Sequence, residues 1–178
     1  MSGSEPYEFP LDLLPGEQAS QKQADGAGAL ASQLLDEANH ARWESLASAL
    51  GMADGQPHPR VGRLVQHVSV SKRGYWEAIA AAIAAAIATP RQPSDQPSPD
   101  QLFSDQLFSD QPPPELNLNG VCLWEVQRAA ALSDEQLATV LTYSGRQMSV
   151  SELLRLNARH TVWHAGQIAA LSSGPKLA

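Results

Sequence analysis

The sequence predicts an all-α protein: an antiparallel four-helix bundle with a flexible N-terminal leader and a long Pro-rich loop between helices two and three. Three observations support this class. Apolar residues recur at helical spacing over several long segments, helix-capping patterns occur twice, and no segment alternates Val, Ile or Thr as a strand would. The chain has 178 residues, 43% of them hydrophobic, which is enough for one domain with a core.

The elements follow from periodicity and from helix start and stop residues. Residues 1–28 contain three prolines and no helical periodicity, which predicts a leader; in an alternative, Tyr7 and Phe9 help it pack on the body as an arm. The helical domain then covers residues 29–178. Helices are predicted over Ala27–Leu50, Pro59–Thr89 and Asn119–Leu132, followed by a short helix that Ser133 and Gln136 cap and Gly145 ends, and by a last helix from the capping box Ser149–Glu152 to about Ser172.

Residues 90–115 are predicted to form a low-complexity insert. They contain seven of the 13 prolines, and the unit Asp-Gln-Leu-Phe-Ser occurs at 100–104 and again at 105–109. A five-residue period fits neither a helix nor a strand. The favoured interpretation is a tandem duplication in a tolerant loop. In the alternative, Phe103 and Phe108 form a motif that binds a partner protein.

Charge and cysteine content exclude several classes of protein. The net charge is −7, whereas a nucleic-acid-binding face must be basic, so no nucleic-acid partner is expected. The single cysteine, Cys122, rules out a disulfide framework and is predicted to be a small apolar residue near a helix start. No secretory signal opens the chain, and the apolar run Ala78–Ala88 is shorter than the ~20 residues that span a bilayer. A cytoplasmic protein without membrane contact is therefore expected.

Two histidines of the last helix, His160 and His164, form a candidate metal-binding pair. A spacing of four places both imidazoles one turn apart on one face. At about 100° per residue, both rings lie near the middle of the apolar stripe around Leu153. Rings that point into a core must be hydrogen-bonded or must bind a metal. Metal binding is the favoured interpretation, and a hydrogen-bonded core pair is the alternative.

A metal ion requires a third ligand from another helix. His67 of helix two is the best candidate, although it lies at the edge of that helix's apolar stripe. His40 faces away from the stripe of helix one and His58 lies between two prolines, so both are predicted to be solvent-exposed. Asn157 and Gln167 are candidates to orient the rings of the pair, with helix packing as the alternative role.

Several catalytic motifs are absent from the sequence. Thr161 follows the first histidine of the pair where a zincin has glutamate, and Asn157 stands where a di-iron Glu-x-x-His unit needs glutamate. There is no Gly-rich phosphate loop and no Gly-x-Ser-x-Gly elbow. No general base is identifiable.

The segment Ser149–Leu171 resembles the last helix of the DinB-like superfamily of four-helix bundles. The specific part is His160-x-x-x-His164-Ala-Gly-Gln-Ile, since the family closes its domain with His-x-x-x-His-x-Gly-Gln-Ile. The stretch Val61–Val68 is similar to the family's second helix, in which the first metal-binding histidine stands at the position of His67.

The resemblance covers about residues 27–90 and 116–172. It implies a divalent metal ion, zinc or nickel by ligand type, bound by His67, His160 and His164 with open positions for water or a substrate. Family members use such a site to activate a low-molecular-weight thiol, such as bacillithiol or mycothiol, for transfer to an electrophile. Others are hydrolases or isomerases. A homodimer is typical of the family.

The sequence therefore favours a metal-dependent enzyme that activates a thiol or water for transfer or detoxification chemistry. Its partners would be a small-molecule electrophile and a low-molecular-weight thiol. The alternative is a non-catalytic helical bundle that binds a partner or serves as a scaffold, with histidines that are only hydrogen-bonded. A chelator distinguishes the two, because only a metal-bound site loses stability when the ion is removed.

Overall fold

The computed structural model describes residues 26–54, 58–88 and 111–172. Residues 1–25 of the predicted leader, the arm and the Phe103 and Phe108 motif fall outside these residues and stay predictions, while Ala27 and Gly28 already belong to the first helix. Six helices hold 76% of the described residues, beside one two-stranded sheet, which confirms a mostly helical protein. The elements are α1 (Ala27–His40), α2 (Leu46–Ala53), α3 (Pro59–Ala88), α4 (Leu118–Ala130), α5 (Asp134–Ala138), β1 (Val140–Tyr143), β2 (Arg146–Ser149) and α6 (Val150–Ser172).

The first predicted helix is divided into α1 and α2. Glu44 has a left-handed φ of 58°, which a continuous right-handed helix does not accommodate. Ser45 then caps α2: its hydroxyl accepts a hydrogen bond from the Ser48 N–H at 3.1 Å and donates one to the Ala41 carbonyl. The prediction of one continuous helix to Leu50 is therefore wrong, because a local cap starts a second helix.

A β-hairpin follows α5, which the sequence did not predict. Its strands are antiparallel, with Leu141 opposite Met148. Ser144 and Gly145 have φ values of 49° and 76°, the left-handed pair that a two-residue type I′ turn requires. Gly145 thus makes this turn, and the prediction that it ends the short helix is wrong, since α5 ends at Ala138. Each strand has only 4 residues, too few for an alternating pattern to stand out.

The first residues of the described segment 111–172 are held against α3. The Arg73 guanidinium donates hydrogen bonds to the carbonyls of Pro112 and Pro113, both at 3.0 Å, and to the carbonyl of Leu116. Pro112 is buried. The last residues of the predicted insert therefore pack on the helical body, and they are non-helical as a loop requires.

Both predicted capping boxes are present. Ser133 and Gln136 exchange hydrogen bonds at the start of α5, and Ser149 and Glu152 do so at the start of α6. The long second helix also has nearly the predicted bounds, since α3 covers Pro59–Ala88. None of the described helices combines the length and apolar character needed to cross a membrane.

The core consists of two apolar clusters that share α6. The larger one joins α1, α3, α4, α6 and the hairpin, with Trp76 and Leu154 among its fully buried residues. The smaller one joins α2, α3, α4 and α6 around Val68 and Ile168, which are both 0% exposed. Helix α6 contacts α1, α2 and α3 most extensively, and it also contacts α5 and β2.

Candidate metal centre

The three predicted ligands form one cluster, called here the histidine cluster. Nε2 of His160 lies 2.9 Å from Nε2 of His164 and 3.3 Å from Nε2 of His67. The candidate ligand atoms of all three residues lie within 4.8 Å of one another. The structure therefore brings together His67 of α3 and the pair on α6, as the sequence predicts.

The histidine cluster extends from the core to the surface. His164 is 5% exposed, His160 is partly buried and His67 is exposed. The inward direction of the pair follows from its spacing on the apolar face of α6. The exposure of His67 confirms its predicted place at the edge of the α3 stripe and leaves the cluster accessible from solvent.

Gln167 holds the innermost ring in a defined orientation. Its Oε1 accepts a hydrogen bond from Nδ1 of His164 at 2.8 Å. Because an amide oxygen only accepts, His164 carries its proton on Nδ1 and presents the lone pair of Nε2 to the cluster. This confirms the predicted role of Gln167. The same prediction is wrong for Asn157, whose side chain bonds Lys72 and Glu125 instead.

The central ring is neutral at physiological pH. The pKa of His160 is lowered to about 4, chiefly by burial and then by the neighbouring His164, His67 and Lys72, in that order of importance. A metal ligand must be the neutral imidazole. His160 therefore offers a nitrogen lone pair without first losing a proton.

The distances between the nitrogens fit a tetrahedral metal site. Zinc–nitrogen bonds of about 2.0–2.1 Å at tetrahedral angles place two ligand nitrogens about 3.3 Å apart. The separation for His67 and His160 is 3.3 Å and that for His160 and His164 is 2.9 Å, while all the candidate ligand atoms lie within 4.8 Å of one another. Imidazole donors suit first-row ions such as zinc and nickel. The residues present therefore fit a divalent metal ion.

Aromatic rings border the histidine cluster. The Tyr75 ring meets the His160 ring edge-on at 5.9 Å between centroids, and Tyr143 lies 5.3 Å from Tyr75. Trp163, which is 63% exposed, lies 4.9 Å from His164. Burial, with Tyr143 adding to the effect, raises the pKa of Tyr75 to about 12. The Tyr75 phenol is therefore protonated at neutral pH and adds no negative charge to the site.

The other two histidines lie outside the cluster. His58 is exposed as predicted, and its Nδ1 accepts a hydrogen bond from the Arg60 N–H at 3.2 Å. His40 corrects a prediction: its side chain is 19% exposed and its Nδ1 lies 2.9 Å from Asp36. Helix α1 is contacted by both α4 and α6, which explains why a ring outside the main apolar stripe is still covered.

Cys122 is a core residue, as the sequence predicts. It is 3% exposed and packs in the smaller apolar cluster. Burial is the main cause that raises the pKa of its thiol to about 12, with Lys72 opposing the rise and Glu125 adding to it. Since the thiolate is the reactive form, Cys122 is not a nucleophile at neutral pH.

A second polar cluster, called here the Lys72–Glu125 network, was not found from the sequence. The Lys72 ammonium donates to Oε1 of Glu125 and, at 3.3 Å, to Oδ1 of Asn157. Glu125 also accepts hydrogen bonds from Asn39 at 2.7 Å, Asn157 at 2.8 Å and the Trp76 indole at 3.2 Å. None of these five side chains is more than 1% exposed. The network links α1, α3, α4 and α6.

Helical spacing contains the signal that could have revealed this network. Lys72 lies four residues after Val68 and four before Trp76, in the middle of the apolar stripe of α3. Glu125 has the same position between the buried Val121 and Ala129 on α4. A charged residue at the centre of each of two apolar stripes indicates a buried ion pair.

No family model matches the chain, and no curated protein or solved structure matches it either. The resemblance to the DinB-like superfamily therefore stays a prediction from the sequence motif. The candidate site has three converging imidazoles, one of them bonded to Gln167, with solvent access at His67.

Proposed function

We propose that this protein is a divalent-metal-dependent enzyme of the DinB-like type, which activates a low-molecular-weight thiol or water for transfer or detoxification chemistry. The observation that carries the proposal is the convergence of Nε2 atoms from His67, His160 and His164 at distances that suit one ion. An antiparallel four-helix bundle built from α1, α3, α4 and α6 is part of the same proposal.

The residues of the histidine cluster have separate roles in this proposal. Three neutral imidazoles would hold zinc or nickel and leave the divalent charge uncompensated. Bound there, the ion supplies a Lewis acid that lowers the pKa of a coordinated thiol or water. Gln167 keeps the His164 lone pair directed at the ion, and the exposed side at His67 admits the substrate.

Thiol chemistry at this site requires a thiol from outside the protein. The only cysteine of the chain, Cys122, is buried and its pKa is raised to about 12. The thiol would therefore be a co-substrate, and the neighbouring Trp163 offers an apolar surface to the electrophile. A cytoplasmic location, a homodimer and the absence of nucleic-acid and membrane partners also belong to the proposal.

Metal analysis of the purified protein tests the site. Wild-type protein is expected to carry about one divalent ion per chain, and the double variant His160→Ala/His164→Ala to carry almost none, because it retains one ligand. The matched control is His58→Ala, which removes an exposed histidine outside the cluster and is expected to keep the ion. Equal metal content in wild type and double variant would refute the proposed site.

The reaction class is tested with metal-loaded protein, bacillithiol and a fluorogenic alkylating electrophile. Thiol transfer predicts a thiol adduct, detected by mass spectrometry, that forms at least ten times more slowly with His67→Ala, a loss of about 1.4 kcal/mol in transition-state stabilisation. Hydrolysis of an ester substrate without added thiol would instead indicate activation of water. The absence of both activities in a metal-loaded protein would contradict the enzymatic proposal.

The non-catalytic alternative is supported by the same short distances. Separations of 2.9 and 3.3 Å also suit hydrogen bonds between neutral rings. In that case, adding a chelator to the purified protein leaves its melting temperature unchanged. A metal-bound site predicts a lower melting temperature after chelation, restored by zinc.

A further inference from the structure

We infer that the Lys72–Glu125 network fixes the register of α3 against α6 and thereby positions His67 opposite His160 and His164. Lys72 and Glu125 are then positioning residues that act on the geometry of the ligands without touching the ion. The inference rests on the proposed metal site.

The apolar residues in the second half of α3 specify the register of this helix only weakly. Its second half repeats Ile-Ala-Ala-Ala, with Ile79, Ile83 and Ile87 spaced by four. A shift of α3 by one repeat, about 6 Å along its axis, places two of the three isoleucines where another one was. Ile79 and Ile83 are buried while Ile87 is 63% exposed, so the repeat continues beyond the core and does not itself mark where the core ends.

The Lys72–Glu125 network, in contrast, is satisfied in one arrangement. Asn157 accepts a hydrogen bond from Lys72 through Oδ1 and donates one to Glu125 through Nδ2, so its amide binds both charged groups at once. The same carboxylate accepts from the Trp76 indole and from Asn39. A shift of α3 by one repeat would move the ammonium away from the carboxylate and leave both charges buried without partners, which is strongly unfavourable.

The network and the histidine cluster belong to the same helix–helix interface. Lys72 lies five residues after His67 on α3, and Asn157 lies three residues before His160 on α6. The two contacts, His67 with His160 and Lys72 with Asn157, show that the helices run antiparallel at this point. Any sliding of α3 that separates Lys72 from Asn157 therefore also separates His67 from the pair on α6.

Two variants and one control test this inference. Lys72→Met/Glu125→Leu replaces the ion pair by apolar side chains, a change that proteins often tolerate. Asn157→Leu removes only the link from α6, and it serves if the double variant does not fold. The matched control is Ile83→Ala, which truncates a buried side chain of α3 outside the network and lowers stability without altering the polar register.

Three measurements are made on each protein: zinc affinity by competition with a chromophoric chelator, the visible spectrum of bound Co²⁺, and nuclear Overhauser effects between the His67 and His160 ring protons without metal. The two ring centroids are 5.2 Å apart, within reach of the last measurement. The apolar variants are expected to bind zinc about 10–100-fold more weakly, to change the cobalt spectrum and to lose the Overhauser effects. Ile83→Ala is expected to retain all three properties.

Wild-type zinc affinity in either folded apolar variant would overturn the inference. Weaker binding with the Overhauser effects intact would overturn it as well, because the network would then act through charge and not through position. If wild-type protein binds neither zinc nor cobalt, the proposed function fails, and the metal-free Overhauser effects alone decide the register. Their loss in the apolar variants supports the inference, and their retention contradicts it.

Discussion

Two polar clusters lie along the α3–α6 interface, and they differ in the charges of their side chains and in their exposure to solvent. The histidine cluster directs like groups, three imidazole nitrogens, toward one point, and it opens to solvent at His67. The Lys72–Glu125 network pairs opposite charges and has no member more than 1% exposed. Three converging imidazole nitrogens suit either a bound cation or hydrogen bonds between the rings, whereas a paired carboxylate and ammonium are complete within the chain.

The same interface thus holds a candidate metal site and a buried ion pair. Both clusters contain side chains that are polar and buried or partly buried, and sequence alone does not distinguish their purposes. The arrangement of donors and acceptors distinguishes these purposes, because it shows which groups already have hydrogen-bond partners.

The largest effect is expected where one charge of the buried pair is removed. Glu125→Leu leaves the Lys72 ammonium buried without a counter-ion, so the free energy of unfolding should fall by about 3–5 kcal/mol. Urea denaturation in the presence of a chelator measures this. The control Glu77→Leu removes an exposed carboxylate of the adjacent helix α3 and should change stability by less than about 0.5 kcal/mol. A loss below about 1 kcal/mol for Glu125→Leu would contradict the assigned energetic role.

The histidine cluster should respond to added zinc, whereas the network should not. Zinc at one hundred times its dissociation constant is expected to stabilise the wild type by about 2.7 kcal/mol. His160→Ala/His164→Ala should abolish this gain, and His58→Ala should retain it. Thermal unfolding with and without zinc provides the measurement. Stabilisation by zinc that persists in the double variant would place the ion elsewhere.

A smaller effect is expected at the edge of the network. Asn39 donates to Glu125, but its Oδ1 is buried and has no hydrogen-bond partner among the described residues. Asn39→Ala loses the bond to the carboxylate and also removes this unpaired oxygen, so the net loss should be only about 1 kcal/mol. Asn157→Ala, which loses two satisfied bonds, should cost more. Equal losses in chemical denaturation would show that the unpaired oxygen is not destabilising.

The smallest effect is expected from pH, because His160 is only partly buried. The pKa of His160 is about 4 in the folded protein against 6.5 for an ordinary histidine, so the unfolded chain takes up the proton first as the pH falls. Metal-free protein should therefore lose stability as the pH falls from 6.5 to 4. Above pH 6.5 the His160 ring is neutral in both the folded and the unfolded chain, so no stability is lost there. His160→Gln should flatten that part of the stability curve, while His58→Gln should leave it unchanged. An unaltered curve for His160→Gln would show that His160 is not the group responsible.

Apart from the contact of His67 with His160, which the family resemblance implied, the predictions that the structure confirms depend on residues close together in the chain. The capping boxes at Ser133 and Ser149, the start of α3 at Pro59 and the orienting role of Gln167 each involve partners within about one helical turn. The wrong predictions of helix bounds also have local causes, which a stronger pattern in the same segment obscures. Ser45 starts a second helix inside an apolar periodic segment, and a two-residue turn forms a hairpin too short to show alternation.

The sequence by itself determined that this protein is mostly helical and that His160 and His164 share an inward face, because helical periodicity is a property of neighbouring residues. Only the tertiary structure decided that His67 meets this pair and that Lys72 meets Glu125. Those contacts join residues 93 and 53 positions apart, and they depend on the register of packed helices. A helix whose apolar half repeats Ile-Ala-Ala-Ala does not specify that register, whereas a buried pair of charges has only one place where both are satisfied.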